Sequence, residues 1–252
     1  VTTTTNAEDT TPPLVSIEAI ASPTTEAMQV VRGTVDDLVI SGVTSFVDRV
    51  TVNGQAARLT DGTFVGVVTL VEAQNVITVV ATDHAGNQTV ETVQVFLDTT
   101  APTVAAPPDV TVETGSGATG CGAVAADVVL GSAVASDNSG MVEVSRTGVP
   151  AGNSFPVGTT TIPYVATDGV GHTANATQSV TVLDNTLPTI AAPAAASFQC
   201  AGQVPPADGA QATASDNCGA PTVTATECNN GGTGSPGSAL IITRTYTATD
   251  AA

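Results

Sequence analysis

An internal repeat is the feature that most constrains how this chain can fold. Asp9-Thr-Thr-Pro-Pro recurs as Asp98-Thr-Thr-Ala-Pro and as Asp184-Asn-Thr-Leu-Pro, at spacings of 89 and 86 residues. A second marker, Ala81-Thr-Asp-His-Ala-Gly-Asn, recurs in the same phase at Ala166 and Ala248. A repeat of about 85 residues is large enough to be a domain with its own core. We therefore predict an N-terminal strand or extension (1–8) followed by three domains (9–97, 98–183 and 184–252).

Short β-branched runs separated by turn residues fill each repeat. The first repeat contains Asp48-Arg-Val-Thr-Val-Asn-Gly, in which Asn53-Gly54 is a strong hairpin signal. Further strands are predicted over 63–70, 75–82 and 89–97, and in the second repeat over 159–167 and 174–183. About seven short strands in about 90 residues are typical of an antiparallel β-sandwich. We expect an all-β fold of three tandem sandwiches forming an elongated rod, the last lacking its final strand.

Charge and hydropathy exclude several classes of function. The 252 residues carry a formal net charge of −18, and all five basic side chains are arginines. Nucleic acids and anionic membranes bind basic surfaces, so neither is an expected partner. The sequence also lacks an apolar run of 18 residues, which excludes direct insertion into a membrane by a helix. The balance favours a secreted or surface-displayed protein, with divalent cations as possible ligands.

Two families share motifs with these repeats. Val50-Thr-Val-Asn-Gly-Gln-Ala and the segment from Asn75 to Asn87 resemble the bacterial Ig-like domains of secreted and surface proteins. The second repeat, from Ala135-Ser-Asp-Asn-Ser-Gly to Ala166-Thr-Asp, is similar to the HYR (hyalin repeat) module, and the third resembles a cysteine-containing relative of it. The resemblance covers about 240 residues. It implies Ig-like sandwiches that serve in adhesion, spacing or extracellular assembly, without catalysis.

Four cysteines are candidates for disulfides: Cys121, Cys200, Cys218 and Cys228. Within the third repeat, either Cys218–Cys228 or Cys200–Cys218 is a plausible bridge. Each leaves one cysteine of that repeat, together with Cys121, for a link between domains or subunits. The HYR resemblance implies that Cys121 has no partner in its own repeat, because Ser139 stands where that family has the cysteine of Asp-Asn-Cys.

Carboxylates and amides recur at predicted loop ends, and they suggest calcium. The candidates are Asp9, Asp36, Asp37, Asp83, Asn87, Asp98, Asp137, Asn138, Asp168, Asp184 and Asn185. Ca²⁺ requires several hard oxygen ligands. One hypothesis is Ca²⁺ binding with Asp9, Asp83, Asp98, Asp168 and Asp184 as the ligands. The competing interpretation is that Asp and Asn at these places only form turns.

Signals for catalysis are weak. His84 and His172 follow Thr-Asp in two repeats, but neither Gly-x-Ser-x-Gly nor His-Glu-x-x-His is present. We interpret both histidines as solvent-exposed loop residues and do not expect an enzyme.

The two ends of the sequence suggest how copies could join. A strand follows the Ala-Thr-Asp marker in the first two repeats, whereas the third repeat stops two residues after Asp250. Val1, Thr2, Thr3, Thr4, Thr5 and Asn6 occupy the place of a preceding domain's last strand. One hypothesis is that the sequence is a piece of a longer repeat protein. The other is donor-strand complementation, in which these six residues complete the third domain of the next copy head to tail.

These observations lead to one functional expectation and one alternative. We expect an extracellular structural protein, either a self-assembling filament subunit or the stalk of an adhesin, whose partners are further copies or neighbouring domains of a longer chain. The alternative is an accessory spacer or binding region of a secreted hydrolase. The absence of Trp counts against sugar binding, since sugars usually stack on aromatic side chains.

Overall fold

A computed structural model describes residues 9–37, 46–235 and 237–250, and the predicted assembly strand Val1–Asn6 lies outside these ranges. The regular secondary structure of the described residues is nearly all β, as predicted. The exceptions are one short α-helix, α1 (Asp127–Leu130), and three short 3-10 helices, Ala151–Asn153, Ala201–Gln203 and Gly209–Gln211. Contacts group the described residues into two compact units. One contains the residues up to 104 with 135–145 and 165–175, and the other contains 105–134, 146–164 and the residues from 176 onward.

Twenty strands follow one another along the described part of the chain. The first repeat contains β1 (Leu14–Ile17), β2 (Met28–Asp36), β3 (Val47–Val52), β4 (Gln55–Ala56), β5 (Arg58–Thr60), β6 (Thr63–Thr69), β7 (Ala73–Asp83) and β8 (Gln88–Leu97). The second contains β9 (Thr103–Ala105), β10 (Val110–Glu113), β11 (Gly122–Val124), β12 (Val134–Ser136), β13 (Val142–Arg146), β14 (Ser154–Pro156), β15 (Gly158–Asp168) and β16 (Thr173–Leu183). The third contains β17 (Thr189–Ala191), β18 (Thr213–Ser215), β19 (Thr222–Asn229) and β20 (Ile242–Thr249).

The first repeat has two four-stranded sheets around one apolar core. Their strand orders are β1-β2-β6-β5 and β4-β3-β7-β8. The predicted Asn53-Gly54 turn joins β3 to β4, and both residues have the positive φ that such a turn requires. Alternate side chains of each strand point inward, so Val31, Phe64, Ile77 and Val79 are fully buried. The predicted strand positions in this repeat are therefore confirmed.

The second repeat contains a four-stranded sheet ordered β10-β16-β15-β13 and two short pairs, β11·β14 and β9·β12. Strand β10 runs parallel to β16, with Val110 opposite Val180. Ile162 and Val180 are fully buried, and Gln178 is buried among them. The buried Gln178 is satisfied, because its amide donates to two backbone carbonyls and accepts from the Tyr164 hydroxyl at 2.9 Å.

The third repeat is much more exposed. It consists of two antiparallel pairs, β17·β18 and β19·β20. Between residues 187 and 250, none of the described residues is buried. In the first two repeats the strand that leads to the Ala-Thr-Asp marker has strands on both sides, whereas β20 pairs only with β19 within the described part of the chain.

Candidate cation sites

Three clusters of titratable side chains recur in step with the sequence repeat. Cluster 1 is Asp9, Asp37 and Asp83; cluster 2 is Asp98, Asp168 and His172; cluster 3 is Asp184, Asp216 and Asp250. In each cluster, one ligand atom from every residue lies within 4.8 Å of the other two. The structure thus distributes the five predicted calcium ligands over three places, two in each of the first two clusters and one in the third.

The first position of each cluster is fixed by the repeated Asp-x-Thr sequence. The backbone N–H of Thr11, Thr100 and Thr186 donates to Oδ1 of Asp9, Asp98 and Asp184, at 3.0, 3.3 and 3.1 Å. This is an Asx turn, in which the side chain bonds its own backbone two residues further on. In Asp98 and Asp184, whose turns use Oδ1, the second carboxylate oxygen is buried and accepts no hydrogen bond from the described residues.

The second position lies where a long strand ends and the chain folds back. Asp83 ends β7, and Asp168 ends β15. Asp168 Oδ1 accepts backbone N–H groups of Val170, Gly171 and His172 at 2.9, 2.7 and 2.9 Å. Burial alone would raise the pKa of Asp168, but these donors and the His172 ring outweigh it and hold the pKa below its usual value. The carboxylate is therefore charged at neutral pH.

Cluster 2 contains the most deeply buried carboxylate of the three clusters. The Asp98 side chain is fully buried, and Asp168 is only 7% exposed. Among the described residues, nothing donates a hydrogen bond to Asp98 Oδ2. A buried carboxylate oxygen without a donor is costly unless a cation or another donor faces it.

Cluster 3 contains several buried acceptors. Asp184 Oδ1 accepts from the Thr114 hydroxyl at 2.8 Å, and Asp216 Oδ2 accepts from the backbone N–H of Cys218 at 3.0 Å. Hydrogen bonds, led by that of Thr186, lower the pKa of Asp184 against the opposing effect of burial. Within the described chain, Asp184 Oδ2, Asp216 Oδ1 and Asn217 Oδ1 are buried and accept no hydrogen bond.

Glu72 supports the connector beside cluster 2. Its carboxylate accepts from the backbone N–H and the hydroxyl of Thr99, at 3.2 and 2.7 Å, and from the Asn138 amide at 2.5 Å. The Thr99 hydroxyl is the main reason that the pKa of Glu72 lies below its usual value. Sequence reasoning did not single out Glu72, since it lies in no repeated motif.

The cysteine pairing differs from both bridges expected within the third repeat. Cys121 is bonded to Cys218, with the two Cα atoms 4.6 Å apart, while Cys200 and Cys228 are free and exposed. The expected Cys218–Cys228 and Cys200–Cys218 bridges are therefore wrong for this structure. The sequence left open a link from Cys121 to another repeat, and this is the link observed. The Asn217 amide also donates to the Gly120 carbonyl, and this hydrogen bond helps to hold the same two loops together.

The two histidines differ in environment. His84 is exposed and stacks on Phe46, with ring centroids 4.9 Å apart. His172 is only partly exposed, and its Nδ1 lies 2.9 Å from Asp168 Oδ2. The interpretation of His172 as a simple exposed loop residue is therefore wrong.

Four members of the clusters were not among the five predicted ligands: Asp37, which was a candidate, and His172, Asp216 and Asp250, which sequence reasoning missed. The repeat held the signal for two of them. Asp216 occupies the place of Asp137 in Ala-Ser-Asp-Asn, and Asp250 occupies the place of Asp168 in Ala-Thr-Asp. His172 stands where the first repeat has Asn87, whose amide donates to Asp83 Oδ2 at 2.8 Å.

Comparisons with known proteins identify two family matches. Residues 97–182 match the HYR domain family, and residues 17–99 match the family described as glucodextranase, domain B. Hyalin of Strongylocentrotus purpuratus is 44% identical over 124 residues, which are 45% of this chain and 10% of that protein. Hyalin of Lytechinus variegatus is 34% identical over 197 residues, or 72% of this chain and 33% of that protein. The chain thus spans a third or less of these relatives.

Among solved structures, the extracellular cadherin domains 3–6 of protocadherin gammaB7 are 13% identical, with a TM-score of 0.36. That alignment covers 96% of this chain and 70% of the other. No helix among the described residues is both long and apolar enough to cross a bilayer.

Proposed function

This chain carries HYR-like, Ig-like modules and is an extracellular or cell-surface protein, and from that premise we propose that it is a non-catalytic structural protein of the adhesion type. In this proposal, the three carboxylate clusters bind Ca²⁺. The observation that carries it is the buried Asp98, whose Oδ2 accepts no hydrogen bond within the described residues although it lies beside a second carboxylate.

Calcium suits these clusters for three reasons. Clusters 1 and 3 offer carboxylate oxygens only, and Ca²⁺ prefers oxygen ligands in flexible geometry. Each cluster contains an Asp from a repeat connector and at least one Asp from a strand end, so a bound ion would tie connector to sandwich. The net charge of −18 attracts divalent cations to the surface.

Calorimetric titration of the metal-free chain with Ca²⁺ tests this assignment. We expect saturable binding that is lost stepwise when Asp9, Asp98 and Asp184 are changed to Asn one at a time. Asp61→Asn, in an exposed turn outside the clusters, is the matched control and should leave binding unchanged. No saturable binding at millimolar Ca²⁺ would contradict the proposal.

Assembly by strand addition at β20 is the finer part of the proposal. Ile77, Val79 and Ala81 of β7 are fully buried, as are their counterparts Ile162 and Ala166 of β15. The corresponding residues of β20, which are Arg244, Tyr246 and Ala248, are only partly buried. A strand added beside β20 would shield this face from solvent and satisfy the open edge. We propose Val1–Asn6 of a second copy as that strand, which makes a head-to-tail filament.

Light scattering and negative-stain imaging of the chain, with and without residues 1–8, test the assembly. We expect ordered polymers that disappear on deletion and are capped by a synthetic peptide of residues 1–8. A scrambled peptide is the control. Monomers in both preparations would rule out this donor and leave the following segment of a longer polypeptide as the covering strand.

The match of residues 17–99 to domain B of glucodextranase favours a second candidate, an accessory region of a secreted hydrolase. A catalytic domain encoded in the same reading frame would support this alternative. Under either function the chain itself would act as a spacer or as an assembly surface.

A further inference from the structure

One position distinguishes cluster 2 from cluster 1. The fourth residue after the strand-end aspartate is Asn87 in the first repeat and His172 in the second. Both side chains bond that aspartate through nitrogen, since Asn87 Nδ2 lies 2.8 Å from Asp83 Oδ2 and His172 Nδ1 lies 2.9 Å from Asp168 Oδ2. Only the imidazole also has a nitrogen lone pair that binds metal, because the amide nitrogen of Asn is not a ligand.

The rest of cluster 2 is held in place independently of any ion. Three backbone N–H groups fix Asp168 Oδ1, and the Asx turn at Thr100 fixes Asp98. The Asp98 side chain is fully buried, and no described residue donates to its Oδ2. Two carboxylates and one imidazole therefore converge within 4.8 Å, and one buried carboxylate oxygen has no donor among the described residues.

We propose that cluster 2 binds a borderline divalent transition metal of the Zn²⁺ class, with Asp98, Asp168 and His172 as protein ligands. This inference rests on the proposed role of the clusters as cation sites and assigns a different metal to one of them. Imidazole with carboxylates suits Zn²⁺ and its neighbours, whereas Ca²⁺ prefers oxygen alone. In a tetrahedral site with bonds of about 2.1 Å, adjacent ligand atoms lie about 3.4 Å apart. His172 Nδ1 and Asp168 Oδ2, which are 2.9 Å apart, would therefore separate by about 0.5 Å as the ion replaces the proton between them.

Binding of Zn²⁺ to the full chain tests the site. Cys200 and Cys228 are exposed thiols that would also bind Zn²⁺, so both are changed to Ser throughout. Calorimetry should then give one Zn²⁺ per chain that millimolar Ca²⁺ does not displace. In a sample labelled with ¹⁵N-histidine, the ring nitrogen signals of His172 should shift, while those of His84 should not.

Two substitutions provide a reciprocal test. His172→Asn gives cluster 2 the residue of cluster 1, so Zn²⁺ affinity should fall by at least about tenfold while Ca²⁺ binding persists. Asn87→His gives cluster 1 the residue of cluster 2 and should add a second Zn²⁺. His84→Gln is the control and should change neither.

The outcomes separate this inference from the calcium proposal. Zn²⁺ binding unaffected by His172→Asn, or an unshifted His172 ring, would overturn the inference even if Ca²⁺ binds all three clusters. Zn²⁺ bound through His172 in a chain without any Ca²⁺ site would support the inference and contradict the calcium proposal.

Discussion

At the residue scale, Asp98 is the side chain whose replacement should most clearly reveal a bound cation. In cation-free buffer, Asp98→Asn removes one of two neighbouring buried carboxylates, so the free energy of unfolding should stay equal or rise. With a saturating divalent cation the variant should instead be less stable than the wild type. At a cation concentration of a hundred times the dissociation constant, binding raises the free energy of unfolding of the wild-type chain by about 2.7 kcal/mol, and that of the variant by less.

Thermal unfolding of Asp98→Asn, wild type and Asp61→Asn, with and without chelator, measures this reversal. Asp61→Asn should follow the wild type in both buffers. A variant that is strongly destabilised in chelator would show that Asp98 has a structural role without a cation.

Acid should destabilise the cation-free chain through the same carboxylates. The pKa values of Asp83, Asp168 and Asp184 lie below their usual value because hydrogen bonds outweigh burial. A carboxyl group whose pKa is lower in the folded state stabilises the fold at any pH above its pKa in the unfolded state, which is about 3.9 for Asp. This stabilisation is lost as the pH falls through the pKa of the group in the folded state. In the presence of chelator, the free energy of unfolding measured with urea should therefore fall progressively below about pH 4.

Carbon-detected NMR titration of the aspartate carboxyls tests whether these pKa values are lowered. The midpoints for Asp168 and Asp184 should lie below about 3.9, the usual value for Asp. Midpoints above the usual value would mean that burial prevails over the hydrogen bonds. Asp168→Asn should remove part of the acid dependence.

At the scale of elements, Gln178 joins β16 to two segments that precede it in the chain. Its Nε2 donates to the carbonyls of Pro108 and Leu130 at 2.7 and 2.9 Å, and its Oε1 accepts from Tyr164. Gln178→Leu would leave these buried groups without partners, so we expect a loss of about 3 kcal/mol. Chemical denaturation measures the loss.

Gln94→Leu is the matched control for this prediction, since Gln94 lies on the exposed face of β8 and its side chain accepts a hydrogen bond from the exposed Gln74. It should change stability by no more than about 0.5 kcal/mol. Equal effects of the two substitutions would contradict a special role for the buried amide.

The sequence predicted the positions of the strands accurately, but it did not predict which strands pair with each other. The strand predicted over 75–82 is β7, and the one predicted over 174–183 is β16. Side-chain alternation and turn residues are local signals, so they locate strands. The parallel pairing of β10 with β16 joins residues about 70 positions apart, and no local pattern specifies such a partner.

At the scale of the whole molecule, the disulfide between Cys121 and Cys218 is the largest covalent constraint among the described residues. It closes a loop with a sequence separation of 97 residues. By loop-closure entropy alone, such a bond stabilises the folded state by up to about 4.7 kcal/mol. Reduction, or Cys121→Ser, should therefore destabilise the unit that contains both cysteines, whereas Cys200→Ser should not.

Thiol counting and urea unfolding test this pairing. The unreduced chain should show two reactive thiols, Cys200 and Cys228, even when denatured. Four thiols without reductant would contradict the bond, as would destabilisation by Cys200→Ser equal to that by Cys121→Ser.

The sequence by itself determined the all-β class, the strand positions and the acidic residues at the repeat connectors. It did so because the two-residue alternation, the turn residues and the repeat are written in local order along the chain. It also indicated an extracellular module through motifs that the HYR match confirms.

Only the tertiary structure decided which distant residues meet. Asp98 and Asp168 lie 70 positions apart in sequence, yet their carboxylates share one cluster with His172. Cys218 bonds Cys121 and neither cysteine of its own repeat, because the loop before Gly122 meets the Asp216–Asn217 loop. Such contacts depend on how strands pack in three dimensions, and burial is what leaves Asp98 Oδ2 without a hydrogen-bond donor among the described residues.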